Sequence, residues 1–180
     1  MREFKPISIG DLYVSSFRRA LLTDRYVGWL NDPQIVRFSE QRHRQHSLES
    51  CATYLDGMHN SQGLFLSIEL KGSELGHIGN ISVAIDVPNS TADLSIMIGE
   101  KRALGQGYAT QAWRAVMKYL LIDAGIRKVT AGTMNVNEPM IRLMRRSLMQ
   151  IDCVRPRHFL WEGVEVDLLM ASCSRDAFEF

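Results

Sequence analysis

Leu94-Ser95-Ile96-Met97-Ile98 runs directly into Gly99-Glu100-Lys101-Arg102-Ala103-Leu104-Gly105-Gln106-Gly107-Tyr108-Ala109-Thr110, and a helical pattern follows. The apolar run reads as a strand, and Gly105 and Gly107 allow the following loop to turn tightly with converging backbone N–H groups. The first N–H groups of the next helix lack intrahelical partners and sit at the positive end of its dipole. A strand, a glycine loop and a helix start in that order predict an anion site, with phosphate or pyrophosphate as the natural ligand. Two familiar versions of this arrangement are excluded. A dinucleotide fingerprint needs a third glycine or alanine where Thr110 stands, and an acidic residue closing a second strand, whereas Asp123 falls in or at the end of the helix. A P-loop needs Gly-Lys-Ser/Thr, which does not follow the spaced glycines.

Working outward, Ile9 to Phe17 reads as a first strand and Asp24 to Leu30 as a helix that Thr23 or Asp24 could cap. Asn31-Asp32-Pro33 breaks that helix and starts a short turn through Phe38. Leu48, Cys51, Ala52, Leu55 and Met58 recur at helical spacing over Leu48 to His59. Leu64 to Leu70 and Leu75 to Ile85 read as antiparallel strands about Lys71-Gly72-Ser73-Glu74, and Asp93 to Ile98 as a third. The helix after the loop runs from Gly107 to Ala124 on an apolar stripe of Ala109, Ala112, Trp113, Val116 and Leu120, with Gly125 as terminator. A strand over Lys128 to Thr133 and a helix over Asn137 to Met149 follow. The chain closes with strands at Cys153 to Trp161 and Val164 to Ala171 about Glu162-Gly163.

This order predicts an α+β, or mixed α/β, fold with a largely antiparallel central sheet. At 180 residues and 46% hydrophobic content the chain can bury one core, so residues 1–180 are expected to form a single domain. No apolar run suggests an export signal or a membrane span. Cys51, Cys153 and Cys173 are odd in number and lack metal-ligand spacing, which predicts reduced thiols, a cytoplasmic setting and no metal. A net charge of +1 gives no general attraction for nucleic acid. From Glu100 to Arg157, however, eleven Lys or Arg stand against four Asp or Glu, a local excess that would favour a phosphorylated ligand if those side chains line the loop.

Arg102, Gly105 and Gly107 fit Arg-x-x-Gly-x-Gly. Around them stand Tyr26-Val27-Gly28-Trp29-Leu30-Asn31-Asp32-Pro33, His77-Ile78-Gly79-Asn80-Ile81, Gly107-Tyr108-Ala109-Thr110-Gln111-Ala112, Asn137 and Gly163-Val164-Glu165-Val166-Asp167. In this order, over about the whole chain, they resemble the RimJ/RimL-like branch of the GNAT acetyltransferase superfamily. The resemblance implies a single GNAT domain whose central sheet contains two splayed strands, here the one ending at Ile98 and the one over Lys128 to Thr133. It implies acetyl-CoA as cosubstrate, its diphosphate on Arg102, Leu104, Gly105, Gln106, Gly107, Tyr108 and Ala109. Its pantetheine arm would meet Met97, Ile98 and Asn137, although Asn137 also suits an N-cap.

The implied reaction moves an acetyl group from the thioester to a primary amine by direct attack, which needs a base within reach of the amine. His77 titrates nearest neutrality, with a backbone-bonded strand histidine as the other reading. Glu100 is the second candidate, with a solvated loop carboxylate as its alternative, and Asp93 and His158 lie in the same region. At the family's usual proton-donor positions stand Met140 and Met144, neither of which can donate, and Leu148 occupies a place where the pattern leads one to expect glycine. Trp29, Glu40 and Arg42 are expected on the acceptor side. The segment from Trp29 to Arg42 looks most like members acting on amino groups of nucleotide-linked sugars. A peptide or ribosomal-protein N-terminus is the alternative acceptor, and an acyl-CoA sensor that lost its proton relay is a further reading. The resemblance leaves a homodimer open.

Overall fold

A single eight-stranded sheet has the order β1-β2-β3-β4-β5-β6-β8-β7. The computed structural model describes residues 4–59 and 62–178. The strands are β1 (Ile7–Ile9), β2 (Leu12–Ser16), β3 (Leu64–Leu70), β4 (Gly76–Asp86), β5 (Thr91–Ile98), β6 (Lys128–Met134), β7 (Gln150–Trp161) and β8 (Val164–Ser174). The helices are α1 (Asp24–Asn31), α2 (Pro33–Val36), α3 (Leu48–His59), α4 (Tyr108–Lys118) and α5 (Glu138–Arg146). The expected first strand from Ile9 to Phe17 is instead a hairpin of β1 and β2, since Gly10 adopts φ +57° and reverses the chain. The helix expected to reach Ala124 loses regular α pairing at Lys118 and continues as a π-helical turn, Tyr119–Asp123.

Period-two alternation divides the apolar residues between the two faces. Leu64, Leu66, Ile68 and Leu70 of β3 join a core with Trp113, Val116 and Met117 of α4 and Leu143 and Met144 of α5. Phe65, one residue out of phase, joins Phe17, Tyr26, Trp29, Cys51 and Leu55 on the other face, beneath α1 and α3. Thr23 caps α1 by accepting from the Tyr26 N–H, and Asp32 caps α2, so the Asn31-Asp32-Pro33 break both ends one helix and starts the next.

Every neighbouring pair of strands is antiparallel except β5 and β6, which run parallel and pair only at Thr91–Lys128, Ala92–Val129 and Asp93–Thr130. Beyond Asp93 they diverge. β5 continues beside β4 as far as Ile98 opposite Gly79, and β6 continues beside β8 as far as Met134 opposite Leu168. The splay expected between these two strands is therefore present, and it opens towards the loop at 99–107.

The helix expected to run to Met149 stops at Arg146 in a left-handed terminus. Leu148 takes φ +63°, its N–H donates to the Arg145 carbonyl at 3.2 Å, and the Met149 N–H returns to the Met144 carbonyl at 3.0 Å. A glycine would adopt this conformation freely, whereas leucine pays for its Cβ. Leu148→Gly is expected to stabilise the fold by about 1 kcal/mol, raising the melting temperature by about 3 °C in a thermal scan.

Candidate active site

The loop after β5 is held from three directions. The N–H groups of Gly99 and Glu100 donate to the Ile78 carbonyl at 2.9 and 3.1 Å. Trp29 lies so close that a Cβ on Gly99 would fall 2.0 Å from its ring. Arg25 donates to the carbonyls of Leu75 and His77 at 3.0 and 2.8 Å and to Glu100 at 2.8 Å, tying α1 to both β4 and the loop. Beyond this bracket Gly105 and Gly107 take φ +76° and +83°. Gly107 is the N-cap of α4, and this helix start has neither a side-chain cap nor an acidic residue in its first turn. The first N–H groups of such a helix start have no intrahelical partner.

A cavity of about 1110 Å³ begins at this loop and extends along the diverging end of β5 to the start of α5. Its wall includes Met97, Ile98, Leu104, Gly105, Ala109 and Asn137 of the expected cofactor residues, together with Ile96, Pro139, Met140 and Leu143. Arg102, Gln106, Gly107 and Tyr108 are not in that wall. Arg102 is instead held by Glu74 at 2.7 Å and Glu100 at 3.3 Å, and these carboxylates raise its pKa further.

Backbone direction refines the expectation for Met97 and Ile98. Because the Gly99 N–H bonds to Ile78 and peptide groups alternate sides along a strand, those of Met97 face β4 and those of Ile96 and Ile98 face the splay. Asn137 does cap α5, its Oδ1 accepting the Met140 N–H at 3.3 Å, while its Nδ2 donates to Thr133 at 3.0 Å. The side chain thus holds the helix start at the cavity edge.

The two expected bases lie elsewhere. His77 is enclosed by Phe17, Tyr26 and Trp29, with ring centroids 5.4, 5.9 and 5.0 Å away, and its Nε2 is 2.9 Å from the Gly79 carbonyl. Burial pushes its pKa down to about 4 against a smaller opposing pull from the Gly79 carbonyl, and the ring is absent from the cavity wall. Glu100 is likewise absent from that wall. Burial works to raise its carboxyl, but the N–H and guanidinium of Arg102 and the charge of Arg25 outweigh this and hold it below the usual range. Both groups therefore serve the bracket under the loop. Trp29 is buried against that bracket too, rather than facing an acceptor.

Glu40 and Arg42 also lie outside the wall. Arg42 bonds to Glu40 at 2.7 Å, to the Ser39 carbonyl at 2.9 Å and to the Leu160 carbonyl at 3.3 Å, fastening this segment to β7. Trp161 reinforces the same junction by stacking on Phe38 and donating to the Arg37 carbonyl at 3.0 Å. The residues that do face the cavity from this region include Arg37, Phe38, Gln41, Arg44, Gln45 and His46. Opposite them Asn80, Ser82 and Ser95 form a polar strip at alternating positions of β4 and β5, with the two serine hydroxyls 2.7 Å apart and Asn80 Oδ1 buried without a partner. The sequence signals were the basic cluster from Arg37 to His46 and the polar residues at 80 and 82 between apolar neighbours, but neither showed which side chains face inward.

The cavity wall carries Arg37, Arg44, Lys101 and Arg142 and no carboxylate. Lys101 pairs with Asp32 at 2.7 Å and Arg142 with Glu138 at 3.5 Å. Arg37 and Arg44 have no carboxylate partner among the described residues, Arg37 lying over the Phe38 ring.

Comparison with known proteins agrees with this arrangement. The family described as an acetyltransferase (GNAT) domain matches residues 12–150, and the chain belongs to that family of N-acetyltransferases. Among solved structures, RimL, the ribosomal L7/L12 α-N-protein acetyltransferase in complex with coenzyme A, superposes with a TM-score of 0.85 at 16% identity, covering 96% of this chain and 99% of its own. Spermidine N-acetyltransferase from Vibrio cholerae with coenzyme A and spermine gives 0.82 at 15% identity, covering 94% and 98%. The microcin C7 self-immunity acetyltransferase MccE with acetyl-CoA and AMP gives 0.76 at 16%, covering 92% and 93%. At these identities the likeness is one of fold. Comparison with curated proteins finds no match. No metal-holding cluster of His, Cys, Asp or Glu occurs among the described residues, and no helix there is long and apolar enough to cross a membrane.

Two outcomes follow. Valine at Gly107 combines a β-branched side chain with φ +83°, which distorts the helix start, so Gly107→Val is expected to weaken coenzyme A binding at least tenfold by calorimetry. For His77, the unfolded ring binds protons more readily than the folded one, so its contribution is fully present above about pH 6.5 and is lost as pH falls towards 4. About 3 kcal/mol of stability should disappear between pH 7 and pH 4 through this ring, and His77→Gln should flatten that part of the denaturation profile.

Proposed function

We propose that the chain transfers the acetyl group of acetyl-CoA to the primary amine of a small acceptor bearing negative charge, with a nucleotide-linked amino sugar as the model acceptor. Acetyl-CoA supplies an activated acyl carbonyl. The glycine loop and the uncapped start of α4 would hold its diphosphate, and Ile96, Ile98 and Asn137 would meet the pantetheine amides. The GNAT membership and the coenzyme-bound fold neighbours support this half of the reading.

The charge of the cavity carries the choice of acceptor. A polyamine needs carboxylates to receive its cationic nitrogens, since an unpaired charge taken out of water is costly. Among the described residues this wall offers none, and it offers the guanidinium groups of Arg37 and Arg44 without carboxylate partners. Arginine binds phosphate and carboxylate through a planar fork, which suits a diphosphate linker or an acidic sugar. That the MccE structure was obtained with AMP supports the same reading by likeness of fold. The shift from Glu40 and Arg42 to Arg37 and Arg44 keeps the acceptor on the wall expected from the sequence.

Met140 stands in the wall and Met144 is buried behind it, so neither protonates the departing thiolate. The proton released by the attacking nitrogen serves that purpose. Purified protein with acetyl-CoA should therefore produce acetylated amino-sugar nucleotides, detected by mass, and leave spermidine unchanged. A mass shift on peptide N-termini alone would overturn the acceptor assignment, and coenzyme A binding without any product would favour the sensor. The double variant Arg37→Gln/Arg44→Gln should raise the KM for the anionic acceptor about tenfold or more while leaving that for acetyl-CoA unchanged.

A further inference from the structure

The cavity contains one imidazole. His46 lies in the segment between Arg44 and Ser47 that leads into α3, and it shares the wall with the polar strip of Asn80, Ser82 and Ser95. Its backbone is held by one amide side chain at both ends: the Asn31 Nδ2 donates to the His46 carbonyl at 2.9 Å, and the His46 N–H donates to Asn31 Oδ1 at 2.8 Å. Asn31 is the last residue of α1, so the helix that braces the glycine loop through Arg25 and Trp29 also fixes this histidine. The imidazole Nε2, by contrast, is shielded from solvent and makes no hydrogen bond to the described protein groups. A fixed backbone that carries an unpartnered, shielded ring nitrogen at the edge of this cavity is poorly explained by packing alone, because such an atom without a partner is costly.

We propose that His46, its ring turning to bring Nε2 into the cavity, accepts the proton that the acceptor's ammonium group must lose before attack. This rests on the amine-acceptor reading of the cavity given above. The ammonium N–H is the missing partner of Nε2, and transfer leaves a neutral amine and an imidazolium. The amine lone pair then forms the C–N bond to the thioester carbonyl carbon and the C–S bond breaks. The second proton of that nitrogen passes to the sulfur, giving thiol and amide, and the imidazolium returns its proton to solvent. The sum is ammonium plus thioester giving amide, thiol and one released proton.

The surroundings favour His46 over every other group in the wall. No carboxylate is present there. The other side chains there that could exchange a proton include Tyr26 from α1, Cys51 and Tyr54 from α3, and Lys101 after β5; burial pushes the Tyr26 hydroxyl and the Cys51 thiol up, keeping both protonated, and the Lys101 ammonium is engaged by Asp32 at 2.7 Å. The charged side chains of the wall are cations, Arg44 on the same segment, Arg37 beside α2, Lys101 after β5 and Arg142 on α5. Burial, reinforced by Arg44, moves the His46 pKa down, so the ring is neutral and able to accept at physiological pH. The same arginines would hold the acceptor's anionic group, leaving its amine to the imidazole.

The test begins without a substitution. In acetyl-CoA-free protein, adding the amine that the wild type acetylates should shift the His46 ring signals in an NMR titration, and an unmoved ring would overturn the proposal. His46→Gln should then lower kcat/KM for that amine about 100-fold at pH 7.5, with unchanged coenzyme A affinity and melting temperature. The deficit should shrink above pH 9, where free amine is abundant, and imidazole added to His46→Ala should restore part of the rate. A His46→Gln enzyme with the wild-type rate and the wild-type pH profile would also overturn it. If the wild type acetylates an uncharged amine instead, the anionic-acceptor reading falls on its own, and the His46 comparison is made unchanged on that amine.

Discussion

The site depends on one departure from regular pairing. β5 and β6 hold together over three residue pairs, the last supported by the Thr130 hydroxyl donating to Asp93 at 2.7 Å, and then separate while each keeps its other neighbour. Two strand edges are thereby left facing each other inside the sheet with their peptide groups unpaired, which a folded chain tolerates only where another hydrogen-bonding partner or water can reach them. Here the diverging end of β5 lines a cavity of about 1110 Å³ that reaches the glycine loop, so an extended chain of amides with an anionic end could enter it. The family's cosubstrate has that shape and chemistry. The interruption of the sheet and the uncapped helix start thus lie beside one another.

The face of the sheet beneath α1 and α3 keeps that site in place. Phe17, Tyr26, Trp29 and His77 form an aromatic layer, Trp29 fills the space that Gly99 leaves, and Arg25 reaches across to two β4 carbonyls and Glu100. Glycine is needed at 99 because a Cβ there would overlap the tryptophan ring. Acidic side chains near the loop are occupied in this bracket: Glu100 and Glu74 hold Arg102, and Asp32 holds Lys101. The cavity itself is left with cations and neutral polar groups. The charge of the cavity is therefore set partly by where the carboxylates were used.

Nearly every strand and helix was legible from periodicity and punctuation, because those signals are local. The departures have local causes that are hard to see in sequence. Gly10 turns one apparent strand into a hairpin, a π turn interrupts the α pairing of the long helix at Lys118, and Leu148 ends α5 in a left-handed conformation usually taken by glycine. The glycine loop was legible for the same reason, since Gly105, Gly107 and an uncapped helix start are adjacent in the chain. The base was not. His77 and Glu100 carry suitable groups at suitable sequence positions, yet a ring nitrogen bonded to Gly79 and a carboxylate bonded to Arg25 and Arg102 are already committed.

The sequence by itself determined the fold class, the family and the glycine loop that leads into an uncapped helix start, all of which follow from neighbouring residues and from the order of motifs. The tertiary structure decided which charged and titratable side chains face the cavity. Arg37, Arg44 and His46 line it while Arg42 fastens to Leu160, and His46 meets Asn31 fifteen positions away. A side chain's role depends on which partners reach it first, and those partners come from distant parts of the chain that only folding brings together.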